Sequence, residues 1–322
     1  MRGGIVVRTV VASALALIAS FALAQSYPSK PIRVVVPFAP GGPVDVVARL
    51  ISPKMNELLG QPLVIENKVG AGGNIGVAQA ARAAPDGYTL LMTSSSFAVN
   101  ATLTPDPGYN ADKDFTPIAV VASQPNFIVV NAAFPARTLA ELLQMARTEK
   151  LAFASPSSGT TPHLTAENLF RVRAKVDITH IPFKGAGPAA AAVLSGQPPI
   201  GSMAGTAPMP HIKSGKLRAL AVSSSHRLDS LPDVPTLGEL GYADMEDYTW
   251  VGIFVPAATP PEIAQKLNDV VLRTVKDPAI RERLEALTFE ITAAPLKPTA
   301  DHVRREVVKW AKVVRDTGAK AE

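Results

Sequence analysis

The stretch at residues 34–50, VVVPFAPGGPVDVVARL, has the residue types and the spacing of an anion-binding turn. An apolar run leads into two prolines and two glycines, and an apolar helical pattern follows directly. A turn of this kind leaves several backbone N–H groups pointing into one small volume, with the positive end of the helix dipole behind them. The chemistry that this pattern favours is the binding of a small anion.

Three further loops have the same character, because they are rich in small and hydroxyl-bearing residues and follow predicted strands. They are TSSSFAVN at 93–100, SPSSGTTPHL at 155–164 and FKGAGPAA at 183–190. Ligands of doubly wound sheets bind outside the carboxyl ends of the strands. We therefore expect the four loops to surround one ligand site.

The elements that must position these loops alternate between strand and helix. PIRVVVPF, LVIE and YTLLMT are predicted strands separated by helical patterns, which indicates a βαβαβ unit with parallel strands. The strands FIVVNA, LAFASP, ITHIPF and LRALAVSS repeat this order, with TLAELLQMARTEK and TPHLTAENLFRV among the helices between them. The predicted fold class is α/β, with doubly wound sheets.

Two domains are expected, because 322 residues with 47% hydrophobic content exceed what one core usually holds. We assign residues 25–121 and 249–322 to the first domain and 122–248 to the second. Two crossing strands, FTPIAVVAS and YTWVGIFVP, would join them. Three helices are predicted to follow, at 261–275, 279–287 and 300–316. The apolar stripe of the last helix should pack on the first domain.

Residues 1–24 have the pattern of a signal peptide. Arg2 and Arg8 flank the start of an apolar run at 10–21, and ALA at 22–24 is typical of a cleavage site that leaves Gln25 as the new N-terminus. The apolar run is shorter than the roughly 18–20 residues that span a bilayer. We therefore predict an exported, periplasmic protein that is cleaved near Ala24.

The composition excludes several classes of function. Without the leader, Lys and Arg fall from 32 to 30 against 27 acidic residues, so the net charge falls from +5 to +3. The basic residues are scattered and not interleaved with aromatic ones, which argues against nucleic-acid binding. Cysteine is absent, so the chain has neither disulfides nor thiolate metal ligands.

Other motifs give no support for an enzyme, a cofactor or a metal. GAGGNIG at 70–76 departs from the dinucleotide-binding spacing, because its last glycine is one residue late, and we interpret it as a strand-to-helix turn. His163 follows a predicted helix start, but no serine stands in a G-x-S-x-G elbow. The remaining histidines are dispersed and lack metal-ligand spacing. A periplasmic hydrolase that uses His163 or the serines at 94–96 stays an alternative.

The order of several motifs resembles one family. PFAPGGPVDVVARL, ENKVGAGGNIG, APDGYTLLM, GTTPHL, IPFKGAGPA, PHIKSGKLRALAV and LPDVPTLGELG follow one another as in the Bug-type extracytoplasmic receptors of tripartite tricarboxylate transporters. The resemblance implies a type II periplasmic-binding-protein fold, in which two domains close over a small organic acid. It implies a receptor without cofactor that hands its ligand to membrane transporter subunits, and we expect a monomer. A sensor that feeds a signalling partner is the alternative in the same compartment.

The resemblance also implies which residues bind the ligand. The first loop would hold one carboxylate, partly through ordered waters, and Gly41 and Gly42 would let the backbone approach it. Pro43 has no backbone N–H, and it would begin the helix at a position where that N–H would have no partner within the helix. Asp45 would cap its own helix and not repel the ligand. The expected site comprises Phe38, Ala39, Pro40, Gly41, Gly42, Pro43, Asp45, Ser94, Ser95, Ser96, Phe97, Ser157, Ser158, Gly159, Thr160, Thr161, His163, Lys184, Gly185, Ala186, Gly187 and Met203.

One departure from the family pattern bears on the ligand. Met203 stands at or near a position where many relatives have an aspartate, so the site lacks its obvious partner for an ammonium group. Phe38 and Phe97 would offer aromatic faces to a flat ligand; the alternative is that both rings are core residues beneath the loops, which is favoured for Phe38. We expect a mono- or dicarboxylate without an ammonium group, with an aromatic acid favoured over citrate-like acids.

Overall fold

The computed structural model describes residues 27–321, so the predicted signal peptide and its cleavage site lie outside the described residues. Among the helices of this range, none has the length and hydropathy needed to cross a bilayer.

Within residues 27–321, ten strands form one curled sheet in the order β2-β1-β3-β9-β4-β7-β5-β6, and β8 and β10 also pair with β4. β1, β2 and β3 are parallel to one another, as are β5, β6 and β7. The predicted α/β class and the N-terminal βαβαβ unit are confirmed. The strands are β1 Ile32–Val36, β2 Leu63–Asn67, β3 Thr89–Ser94, β4 Phe115–Asn131, β5 Leu151–Ser155, β6 Ile178–Pro182, β7 Ile200–Ala204, β8 Leu217–Val222, β9 Tyr248–Pro256 and β10 Glu290–Ile291.

The long strand β4 belongs to both ends of the sheet. Up to Pro125 it pairs with β9 and β10, and from Asn126 it pairs with β7 and β8. We call β1, β2, β3, β9, β10 and residues 115–125 the first sheet half, and β5–β8 with 126–131 the second sheet half. The sequence indicated two strands here, but an extended proline removes only one N–H donor, so the strand continues through Pro125.

Helices cover both faces of each sheet half. They are α1 Pro43–Leu59, α2 Asn74–Ala81, α3 Ser96–Leu103, α4 Leu139–Met145, α5 Thr161–Glu167, α6 Ala186–Ser195, α7 Met209–Lys213, α8 Pro261–Thr274, α9 Pro278–Ala286 and α10 Leu296–Thr317. A π-helical segment, Asn168–Arg173, continues α5, so the regular helix predicted to Val172 ends earlier. Each sheet half has two buried apolar clusters, which makes both halves doubly wound.

Helix α1 shows how the sequence positions the first loop. Val47, Ile51 and Met55 recur every four residues and are fully buried against β1 and α8. Pro43 is its first residue, and the helix ends at Gly60, whose φ of 71° suits glycine. The start of α1 is thereby held at the carboxyl end of β1.

The last helix, α10, begins four residues before its predicted start and packs on the first sheet half. Val303, Trp310 and Val314 are buried in a cluster with Phe97 and Trp250. The helix also contacts α5 and the π-helical segment of the second sheet half. It therefore spans the junction between the two halves.

Candidate functional site

A cavity of about 360 Å³ lies at the junction of the two sheet halves. All four predicted loops contribute to it, together with a fifth segment at residues 69–73. Its lining residues are Pro37, Phe38, Ala39, Gly42, Pro43, Val44, Val69, Gly70, Ala71, Gly72, Gly73, Ser94, Ser96, Pro156, Ser157, Thr160, Thr161, Pro162, Phe183, Lys184, Gly185, Ala186, Ala204 and Thr249.

The electrostatic character of this cavity favours an anion. The first residues or N-caps of α1, α2, α3, α5 and α6 line it, so the positive ends of five helix dipoles face one volume. Lys184 is the only charged side chain that residues 27–321 contribute, and no Asp, Glu or His of that range lines it.

A second cavity, of about 410 Å³, lies beside β9 and has the opposite character. Glu246, Glu290 and Glu306 line it together with Lys309 and His302. Three carboxylates against one lysine make this volume unsuitable for an anion. The first cavity is therefore the candidate site for an acid.

The first loop is shaped by Asp45, whose side chain turns away from the cavity. Its Oδ2 atom accepts the N–H of Gly41 at 3.0 Å, its Oδ1 atom accepts from Asn67 at 3.0 Å, and Arg49 pairs with both oxygens. Burial raises the pKa of Asp45, but the hydrogen bonds from Arg49, Gly41 and Asn67 outweigh it and hold the pKa below its usual value. The predicted capping of its own helix is wrong, because the N-cap Gly42 receives no side-chain hydrogen bond and Asp45 instead binds the N–H of Gly41, which precedes the helix.

Backbone donors at the start of α1 remain for a ligand. Val44 and Asp45 are its second and third residues, so no preceding helical carbonyl can accept from their N–H groups. Gly42 is the N-cap and lines the cavity, whereas Gly41 and Pro40 do not. This geometry fits a carboxylate oxygen that accepts hydrogen bonds at the helix N-terminus.

The second loop brings two of its predicted residues to the cavity. Ser94 donates to the Ser96 hydroxyl at 3.0 Å, which leaves the Ser96 proton free for a ligand. The prediction that Phe97 offers an aromatic face is wrong, because Phe97 is 1% exposed and packs against Phe254 and Tyr109. Phe97 is the second residue of α3, on the side that faces the core.

The third loop contributes Ser157, Thr160 and Thr161, while Ser158 and Gly159 lie outside the lining. His163 also lies behind the loop, where its Nδ1 atom accepts the N–H of Gly159 at 3.3 Å and its ring stacks on His180. Burial, with smaller effects of His180 and Arg171, lowers the pKa of His163 to about 3. His163 is therefore neutral and does not face the cavity, contrary to its predicted place in the site.

The fourth loop brings Lys184, Gly185 and Ala186 to the cavity, but not Gly187. Met203 is fully buried in the core, and the next residue, Ala204, lines the cavity. Successive residues of a strand face opposite sides of the sheet, so Ala204 faces the cavity and the predicted residue Met203 faces the core. Ala204, like Met203, offers no countercharge to an ammonium group.

The hydroxyl groups of Thr161 and Thr249 line the cavity, and we call the hydrogen-bonded row that they form with Ser95 and Asn126 the cavity floor. Thr161 Oγ1 lies 2.7 Å from Thr249 Oγ1 and 2.9 Å from Ser95 Oγ. Thr249 donates to Asn126 Oδ1 at 2.8 Å, and Asn126 Nδ2 donates to Asp247 at 2.8 Å. The predicted residue Ser95 thus lies beneath the lining and supports Thr161.

Several residues of the site were not predicted from the sequence. Residues 70–73 lie in the GAGGNIG turn, which is confirmed as a turn, and their position after β2 was the signal that they border the site. Phe183 and Pro156 adjoin predicted loops. Thr249 lies inside a predicted strand, where no local pattern marks it.

The two sheet halves meet closely around the cavity. Asn100 Nδ2 of α3 donates to the carbonyl of Gly72 and, at 3.4 Å, to that of Gly159 in the third loop. A Cβ atom on Gly185 would lie 3.4 Å from the Cβ atom of Ala39. The loops of both halves therefore enclose the cavity together.

Comparisons with known proteins agree with this geometry. Residues 47–319 match the model of the tripartite tricarboxylate transporter family receptor. The chain is similar to protein BugT of Bordetella pertussis, with 39% identity over 311 residues that cover 95% of each chain. Among solved structures it is similar to the periplasmic binding protein BugD, with a TM-score of 0.86, 35% identity and 92% and 100% of the two chains covered. It is also similar to MatC of Rhodopseudomonas palustris with bound malate, with a TM-score of 0.84, 35% identity and 89% and 100% covered.

Proposed function

Because this chain belongs to the tripartite tricarboxylate transporter receptor family, we propose that it captures a small organic carboxylate and delivers it to a membrane transporter. The observation that carries this proposal is the cavity between the sheet halves, where five helix N-termini and Lys184 face a volume that no acidic side chain of residues 27–321 lines. The periplasmic binding fold of its relative BugD and the malate bound to MatC support the same function.

The ligand that we propose is a mono- or dicarboxylate without an ammonium group. Burying an ammonium is costly unless acceptors or a carboxylate meet it, and no acidic side chain of the described residues lines the cavity. Phe38 and Phe183 both line it, which suits an apolar or aromatic ligand body. Lys184, at the fourth loop, would meet a second carboxylate where the ligand has one.

Domain closure is the proposed mode of capture. We divide the chain into residues 25–121 with 249–322 and residues 122–248, and assign the hinge to the points where β4 passes Pro125 and where β9 begins. Loops from both sheet halves line the cavity, so movement of the halves toward each other would enclose a bound ligand and their separation would release it.

The proposed site of action is the periplasm. Residues 1–24 would direct export and be removed near Gln25, and the mature receptor would act as a monomer that a transporter subunit recognises in its closed form.

A hydrolase finds less support in the geometry. Within residues 27–321, serine and histidine side chains share a hydrogen bond at Ser155 and His180, at 2.7 Å, and at Ser225 and His226, at 3.2 Å, and none of these residues lines the cavity. Burial lowers the pKa of His180 to about 4, so this ring is a poor base at neutral pH.

A thermal-shift panel of acids tests the proposal. Mono- and dicarboxylates, aromatic acids, amino acids and neutral esters would each be added to the purified mature protein. An acid at about 1,000 times its dissociation constant adds about 4 kcal/mol of stability. Stabilisation by ammonium-free acids alone supports the proposal; stabilisation by amino acids alone, or turnover of the esters, would overturn it.

A further inference from the structure

Asp247 anchors the row of polar groups that forms the cavity floor. The residue is 4% exposed, and its Oδ1 atom accepts from Asn126 Nδ2 and from Thr165 Oγ1, both at 2.8 Å. Asn126 lies at the point where β4 passes between the sheet halves, and Thr165 lies on α5. Asp247 itself does not line the cavity.

The carboxylate fixes the orientation of the Asn126 amide. An ionised carboxylate can only accept hydrogen bonds, so the nitrogen of Asn126 must face Asp247 and its oxygen must face Thr249. Thr249 therefore uses its single hydroxyl proton to donate to Asn126 Oδ1.

The hydroxyl protons of Thr161 and Ser95 are oriented in the same way. Since the proton of Thr249 is used, Thr161 must donate across the 2.7 Å contact between them. Ser95 must in turn donate to Thr161 across 2.9 Å. Thr161 and Thr249, which both line the cavity, then have no proton left, and any contact that their hydroxyls make with a ligand is one in which they accept.

We propose that Asp247 is a positioning residue that makes the cavity floor a hydrogen-bond acceptor, so that the site selects carboxylic acids which also carry a hydroxyl donor. This inference rests on the proposed function. The N-terminus of α1 and the Ser96 hydroxyl would donate to the carboxylate, and the ligand hydroxyl would donate to Thr249 or Thr161. Each of these hydroxyl oxygens already accepts one hydrogen bond, and a ligand without a donor leaves its second lone pair without a partner in a buried place.

The experiment compares acids that differ by one hydroxyl group. Affinities of the purified mature protein would be measured by calorimetry at pH 8 for malate and succinate, lactate and propionate, and 4-hydroxybenzoate and benzoate. For the pair that binds most tightly, we expect the hydroxy acid to bind roughly tenfold more tightly than its partner. Equal affinities, or preference for the acid without a hydroxyl, would overturn the proposal.

Two variants of Asp247 separate the acceptor from the charge. Asp247→Asn and Asp247→Leu both remove the negative charge, but only asparagine keeps an oxygen that can accept from Asn126. Thr165 Oγ1 also accepts from Asn126 Nδ2, at 3.1 Å, so Thr165→Val is added to the leucine variant. We expect Asp247→Asn to retain the hydroxyl preference and Asp247→Leu with Thr165→Val to reduce it to within about threefold, because the Asn126 amide can then turn over. A preference that both variants retain, or that both lose, contradicts the proposed role of the acceptor.

Thr249→Val provides a test that does not depend on the folding of Asp247→Leu. It removes one floor acceptor with little change of shape, and we expect the preference for the hydroxy acid to fall by about the same factor. Thr274→Val is the control, because Thr274 is equally buried on α8 but remote from the cavity, where it donates to the carbonyl of Val270. An unchanged preference in Thr249→Val overturns the proposal. If none of the six acids binds to the wild-type protein, the proposed function fails together with it.

Discussion

Replacing Gly42 by valine should weaken acid binding while leaving the fold intact. Gly42 has φ −77° and ψ 168°, which any residue adopts, and an added Cβ atom would have only the carbonyl of Ala39 near it, at 3.5 Å. The cost to folding is then limited to a poorer N-cap, about 1 kcal/mol. The new side chain would stand in the cavity beside the N–H groups of Val44 and Asp45.

The expected loss of affinity follows from the hydrogen bonds that the ligand gives up. A hydrogen bond to a charged group contributes about 1.5–3 kcal/mol, so losing one should weaken binding roughly 10- to 100-fold. Calorimetry with the acid found by the thermal-shift panel measures the affinity, and urea unfolding measures the stability.

Gly41→Ala is the matched control for this prediction. Gly41 has φ 81°, where a side chain is strained, but a Cβ atom there would meet nothing within 4 Å and the residue does not line the cavity. We expect this variant to lose about 1 kcal/mol of stability and to keep its affinity within about threefold. Unchanged affinity in a folded Gly42→Val, or equal losses in both variants, would refute the reasoning about the first loop.

Three further predictions concern stability, closure and export. Because the pKa values of His163 and His180 are lowered to about 3 and about 4, the unfolded chain binds protons below pH 6.5 that the folded chain does not, and stability should fall as the pH drops from 6.5 toward 4. Burial raises the pKa of Asp247 to about 6, and its protonation in the folded chain opposes the effect of one histidine, so urea unfolding should show a net loss of stability between pH 6 and 4; stability that rises on acidification would contradict this. Small-angle scattering should give a smaller radius of gyration with a saturating acid than without it, and an unchanged radius would indicate a preformed site. Intact mass of the exported protein should give an N-terminus at Gln25 or within two residues of it, and a retained leader in the periplasmic fraction would count against cleavage.

Local patterns predicted the parts of the site that depend on local geometry. The order strand, glycine turn and helix at residues 34–50 fixes where β1 ends and α1 begins, and the four-residue spacing from Gly41 to Asp45 lets the Asp45 carboxylate accept the N–H of Gly41 within the turn. In each case, the residues that interact are close in sequence.

The predictions that are wrong concern side chains whose orientation depends on distant contacts. Phe97 and Met203 were expected in the site, but a helical turn and a one-residue strand register direct both into the core. The floor of the cavity joins Ser95, Thr161 and Thr249, and Asn126 contacts a residue 121 positions away. No spacing in the sequence indicates such contacts, because they exist only once the two sheet halves are assembled.

The most direct test of the central claim is a crystal structure of the protein isolated from the periplasm with its retained ligand. We predict an ammonium-free acid in the cavity between the sheet halves, with a carboxylate oxygen about 2.7–3.1 Å from the N–H of Val44 or Asp45. An acid bound in the acidic cavity beside β9, or a ligand that has no carboxylate at the N-terminus of α1, would contradict the account.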